Sequence, residues 1–237
     1  MNILALDSAL SSCSAAVMKD GKILSEILEK CLRGQAERLI PMCQEVCDGA
    51  AVPFDQLDAI AVTCGPGTFT GVRIGLAAAK GLSLALDIPL IGVTTLEAVA
   101  QYMMSEGEGL PKGKIAIVHD ARRSEVYMQI FDQNDKGIIA VTEPAAIPFM
   151  GIEKYFGEDI ALVAGSGAEL VKTHLSHDIL GRVHFPEMET QPQARTIAQI
   201  AAEKLSAGDG QAEVTPLYLR APDAVAAKPI IYAFQNQ

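Results

Sequence analysis

At 237 residues and 49% apolar, the chain is long enough for one large or two small domains with full cores, which excludes an intrinsically disordered protein. Its formal charge is -10, from 29 acids against 19 bases, and only 5% of residues are aromatic, with no Trp. Such a surface repels phosphate backbones and offers bases little to stack on, so a tRNA is expected to be reached only indirectly, through a partner.

Residues 2–6 are a short apolar run, read as a buried strand, and the start MNILALDSA lacks the basic segment of a signal peptide. Strands are expected at 14–18 and 23–28, joined by the Asp20-Gly21 turn. From 35 to about 49 the pattern is helical, with Pro41 expected to kink the helix or delay its start. A strand at 58–62 leads into the loop GPGTFTG at Gly65, which opens a long helix to about 86. A strand at 89–93 follows, then a helix to about 104 that begins with the capping box Thr94 to Glu97. The apolar stretch 72–100 is broken by Lys80, Asp87 and Pro89, so no membrane span is expected.

Residues 105–113 hold three glycines and a proline and read as a linker. Beyond it, strands are expected at 114–119, 125–131 and 138–142, a short helix at 148–156, and a strand at 160–164. Gly165-Ser166-Gly167 opens a helix to about 177, with a strand at 183–185 and a helix at 194–205. The tail from about Pro222 is expected to be poorly ordered. Each half therefore reads βββαβαβα, giving an N-terminal domain over 1–105 and a C-terminal domain over 106–237, with the last helix allowed to pack back on the first.

That doubled order resembles the actin-like ATPase, sugar kinase and Hsp70 (ASKHA) superfamily, an α/β class built as a tandem duplication. Four stretches carry a narrower resemblance. GPGTFTGVRIGLAAAKGL from Gly65, QAERLIP from Gln35, DARRSEVY from Asp120 and PLYLR from Pro216 are similar to the TsaB family and its larger relative TsaD. The resemblance implies a cytoplasmic, non-catalytic scaffold subunit of the machinery that makes threonylcarbamoyladenosine on tRNA. TsaD would be its heterodimer partner and TsaE a further one, with a homodimer possible alone. ATP and metal would be needed by those partners, and no cofactor by this chain. Alternatives are a self-sufficient ATPase of the same fold, or the metallopeptidase that the family's older glycoprotease label suggests.

The residues can be weighed against those alternatives. Sugar kinases of this fold bring phosphate against a glycine turn after the first strand, but here the turn is Asp7-Ser8-Ala9. No Asp or Glu lies between Asp58 and Asp87 to face a metal-bound phosphate. Asp7, Ser8, Gly65 and Gly67 are thus weak nucleotide candidates, with Gly65 and Gly67 read first as a tight turn; Gly165 and Gly167 are a weak pair too. TsaD binds metal through a His-x-x-x-His pair, and the matching positions here are Gln35 and Leu39, so no metal ligands are assigned. Cys13, Cys31, Cys43, Cys47 and Cys64 read as reduced core thiols.

The helix after the glycine loop bears only Arg73 and Lys80 as charges over residues 70–86. Of its two apolar stripes, Val72, Gly75, Leu76, Ala79 and Ser83 are expected to face a partner, next to Leu39, Met42, Cys43 and Val46 of the preceding helix. The roles of Arg122 and Arg123 are left open between a solvated turn and a phosphate contact.

Overall fold

The computed structural model describes residues 1–107, 109–134, 137–188, 190–208 and 213–220. The first half contains β1 (Asn2–Asp7), β2 (Ser12–Lys19), β3 (Lys22–Lys30), α1 (Gln35–Ala50), β4 (Ala59–Thr63), α2 (Phe69–Leu86), β5 (Leu90–Val93) and α3 (Thr95–Glu106), in the expected order. These strands form one sheet, ordered β3-β2-β1-β4-β5. β1 and β2 pair antiparallel, while β1, β4 and β5 run parallel. The residues of β4 and all but the first of β1 are buried, because both faces of the sheet are covered. Leu4, Leu6, Ile60 and Val62 pack under α1 and α2 on one face. Ile3, Ala5, Ala59 and Ala61 meet the last helix on the other.

The second half contains β6 (Lys114–Arg122), β7 (Glu125–Asn134), β8 (Gly137–Ala140), β9 (Ala145–Pro148), β10 (Ile160–Ala164), α4 (Ala168–Lys172), α5 (His177–Leu180) and α6 (Ala194–Ala207). Its sheet is ordered β10-β6-β7-β8, and β9 also pairs with β7. Several expectations differ here. The helix sought at 148–156 is one 3-10 turn, Ile152–Tyr155, preceded by the extra strand β9. The helix expected to run to 177 breaks into α4 and α5, because the Thr173 hydroxyl bonds back to the Leu170 carbonyl and the Glu153 carboxylate takes the Ser176 N–H. The strand at 183–185 is a single bridge between His184 and Leu162. In the first half, α1 runs through Pro41 without interruption. The ordering expected of the tail lies outside the described residues.

The helix α6 crosses back. Ala194, Ile197, Ala198 and Ala201 bury against Ile3, Ala5 and Ala16 of the first sheet, and such small side chains let helix and sheet approach closely. Residues 213–220 also return: the Leu217 N–H donates to the Cys64 carbonyl at 2.7 Å. The capping box forms as expected, with the Glu97 N–H on the Thr94 hydroxyl at 3.0 Å.

Candidate functional site

The two loops that carry phosphate in kinases of this fold are clamped together here. A Cβ at Gly71 would sit on the Ser8 carbonyl oxygen, and one at Gly67 on the Ala9 carbonyl oxygen. The Thr68 N–H donates to the Ala9 carbonyl at 2.8 Å, and the Ser8 hydroxyl to the Gly71 carbonyl at 2.9 Å. Gly65, at φ +106°, makes the turn into α2, whose first turn is capped by Thr68. Ser8, Gly65 and Gly67 therefore form a packing seam.

Asp7 is fully buried beside that seam. One carboxylate oxygen accepts from the Thr63 hydroxyl and from the Ala9 N–H at 3.1 Å, and the other has no partner. Burial pushes its carboxyl up to about 7 against the pull of those two bonds. The second domain has a matching buried group. His119 meets the Ser166 hydroxyl at 3.3 Å through Nδ1, its Nε2 has no partner, and burial pushes it down to about 4. Gly165 and Gly167 let this Gly-Ser-Gly turn lie against β6 and β7: a Cβ on Gly165 would strike the Val118 carbonyl.

Between the domains lies a cleft of about 1080 Å³. Arg33, Phe69 and Arg73 line it from the first domain, and Asp120, Arg122 and Ser166 from the second. The returning segment closes one end as a strap. Arg73 lies 3.4 Å from the centre of the Phe69 ring and donates to the Tyr218 hydroxyl at 2.7 Å, while Tyr218 stacks on Phe69 at 5.7 Å. Arg220 reaches the Glu125 carboxylate at 3.0 Å in the other domain. Sequence reasoning gave Tyr218 and Arg220 no role, although PLYLR marked the segment.

The expected partner stripe faces the wrong way. Leu39, Met42, Cys43, Val46, Val72, Gly75, Leu76 and Ala79 are all buried inside the first domain's own core. Ser83 is half-buried and bonds the Ile88 carbonyl at 2.6 Å. α2 rolls these residues onto β4 and α1, and so presents Phe69, Arg73, Ala77, Lys80 and Leu84 outward. Leu84 is 85% exposed and Phe69 53%, and α1 adds Ile40 at 44%. By length and composition α2 could cross a membrane, yet its inner face is built into the domain core. Gln35, at the first position of the lost histidine pair, ties α1 to the Leu10 carbonyl at 2.9 Å. Among the described residues, no group of three or more His, Cys, Asp or Glu could hold a metal ion.

Two α/β domains with these sheet orders, facing each other across a cleft and joined by a returning helix, define the ASKHA fold class. The same fold occurs in component A of (R)-2-hydroxyglutaryl-CoA dehydratase from Acidaminococcus fermentans, at TM-score 0.52 and 11% identity over 87% of this chain and 99% of that one. A family model described as TsaD, tRNA N6-adenosine threonylcarbamoyltransferase, matches residues 27–225. The tRNA threonylcarbamoyladenosine biosynthesis protein TsaB of Escherichia coli K12 is 37% identical over 147 residues, 62% of each chain, so the match spans less than two thirds of that relative. YeaZ from Pseudomonas aeruginosa superposes at TM-score 0.81 with 29% identity, covering 92% of this chain and 99% of that one. The chain belongs to the TsaD family, on its TsaB (YeaZ) branch.

Proposed function

We propose that this chain is a cytoplasmic, non-catalytic scaffold subunit of an assembly that makes N6-threonylcarbamoyladenosine on tRNA. It would pair with a TsaD-type transferase and work with a TsaE-type ATPase, which supply the ATP and metal chemistry. The observation that carries the reading is the outward face of α2, where Leu84 stands exposed on a helix with only two charges. Beside Ile40 of α1, this face offers two adjacent helices, and a specific interface needs about 800 Å² per partner. The clamped loops and the buried Asp7 support a scaffold over a kinase, since phosphoryl transfer needs its phosphates and a carboxylate in one open site. In the absence of TsaD the same face would pair with a second copy.

Replacing Leu84 by Arg tests the reading. The variant should keep the wild-type melting temperature, because Leu84 touches solvent, and lose binding to its TsaD partner by tenfold or more, as an uncompensated charge enters the seam. A folded variant that binds TsaD normally would show that this face is not the interface.

A further inference from the structure

The cleft's walls carry a charge opposite to that of the chain. Four arginines, Arg33, Arg73, Arg122 and Arg220, line it against two carboxylates, Glu37 and Asp120, in a protein of formal charge -10. Exposed aromatic surface accompanies them: Phe69 and Tyr218 are 53% and 44% exposed.

The hairpin that presents Arg122 is held in an unfavourable conformation. Arg122, Arg123 and Ser124 have φ of +64°, +54° and +62°, three consecutive non-glycine residues in the left-handed region. The register pairs Arg122 with Glu125, leaving a two-residue connection of a kind that favours Asn-Gly. Asp120 fixes the turn by accepting the Arg122 N–H at 2.8 Å, and the Ser124 carbonyl accepts the Phe149 N–H at 2.9 Å. The Arg122 side chain is 83% exposed, its guanidinium 3.6 Å from Asp120. Strained backbone of this kind clusters at functional sites, and glycine would relieve it at the expense of the guanidinium.

We infer that the mouth of this cleft contacts single-stranded RNA, with phosphates on Arg33 and Arg122 and a base against the exposed part of the Tyr218 ring, which Phe69 and Arg73 hold in place from behind. A cavity of this volume suits unpaired nucleotides and not a duplex. Arginine planes and aromatic rings are the surfaces on which splayed RNA bases stack. The glycine loop borders this cleft through Gly67 and Thr68, but its glycines are packed on the Ser8 and Ala9 carbonyls, so the charged groups offered to a ligand there come from the arginines. With so few phosphate contacts on an acidic protein, the affinity of the chain alone is weak; the contact adds to what a partner holds. The inference rests on the reading of the chain as part of a tRNA-modifying assembly.

The test uses the full chain with its TsaD partner and a fluorescent tRNA anticodon stem-loop, titrated at several salt concentrations. Arg33→Glu with Arg122→Glu should weaken binding at least tenfold and lower the slope of log affinity against log salt by about 1 to 2. Lys19→Glu with Lys154→Glu, the same charge change away from the cleft, should do neither; an equal loss there would reduce the effect to net charge and overturn the site. Arg122→Gly should raise the melting temperature while weakening RNA binding, and unchanged affinity would contradict the inference. Adenosine monophosphate is the third arm: if it binds as tightly as the RNA, the cleft is a mononucleotide site and the inference is wrong. If no complex with TsaD forms, the proposed scaffold role has failed, and the same variants compared on the chain alone at low salt decide the RNA contact separately.

Discussion

The Ser8 hydroxyl donates to the Gly71 carbonyl at 2.9 Å, and the Ser8 carbonyl fills the space where a side chain on residue 71 would begin. This contact joins the turn after β1 to the first turn of α2. The seam has little slack, because the atom nearest a Cβ at residue 71 is the Ser8 backbone carbonyl oxygen.

Gly71→Ala should therefore destabilise the protein by about 3 kcal/mol or more, since backbone must move to admit the methyl group. Gly81→Ala, on the exposed side of α2 with nothing within 4 Å, should stabilise by about 0.5–1 kcal/mol. Thermal or urea unfolding of both variants checks the contrast. Equal small effects would mean that the loops are not clamped.

Stability should depend on pH through two buried groups of opposite sign. Asp7 rises from 3.8 to about 7 on folding, so the native state holds the extra proton and stability falls as pH climbs through that window, by up to about 4 kcal/mol. His119 drops from 6.5 to about 4, so its contribution, up to about 3 kcal/mol, is complete above 6.5 and is lost as pH falls towards 4. Between about 4 and 6.5 the two slopes oppose each other. Asp7→Asn should gain stability over the wild type on going from pH 4 to pH 8, and His119→Gln should hold its stability better on acidification. Denaturant melts across that range decide it; an Asp7→Asn variant with the wild-type pH profile would refute the assignment.

The purified chain should be catalytically silent. ATP hydrolysis and peptidase assays with added magnesium or zinc should stay below about 1 turnover per second, the low end of ordinary enzyme rates. Turnover at or above that rate would favour one of the two enzyme readings.

The first domain was largely legible because its apolar runs are punctuated by Asp20-Gly21, the glycine loop and the Thr94 capping box. The second was less so. β8 and β9 are only partly buried, which weakens the alternation that marks strands, and the long helix there is interrupted by local side-chain bonds. The facing of α2 was misread because Gly71, Gly75 and Ala79 suit a close-packed core and a partner seam equally well. Its charges carried the missing signal: Arg73 and Lys80 are seven residues apart and share one helix face, and Leu84 lies four residues further along it. The return of Tyr218 and Arg220 across the cleft is a tertiary relationship that no local pattern encodes.

The most direct test of the account is reconstitution of tRNA threonylcarbamoylation with the TsaD and TsaE partners, with and without this chain. We expect modification to depend on the chain, to be restored by the wild type and by Asp7→Asn, and to be lost with Leu84→Arg. Full modification without the chain, or with Leu84→Arg in its place, would contradict a scaffold that acts through the outer face of α2.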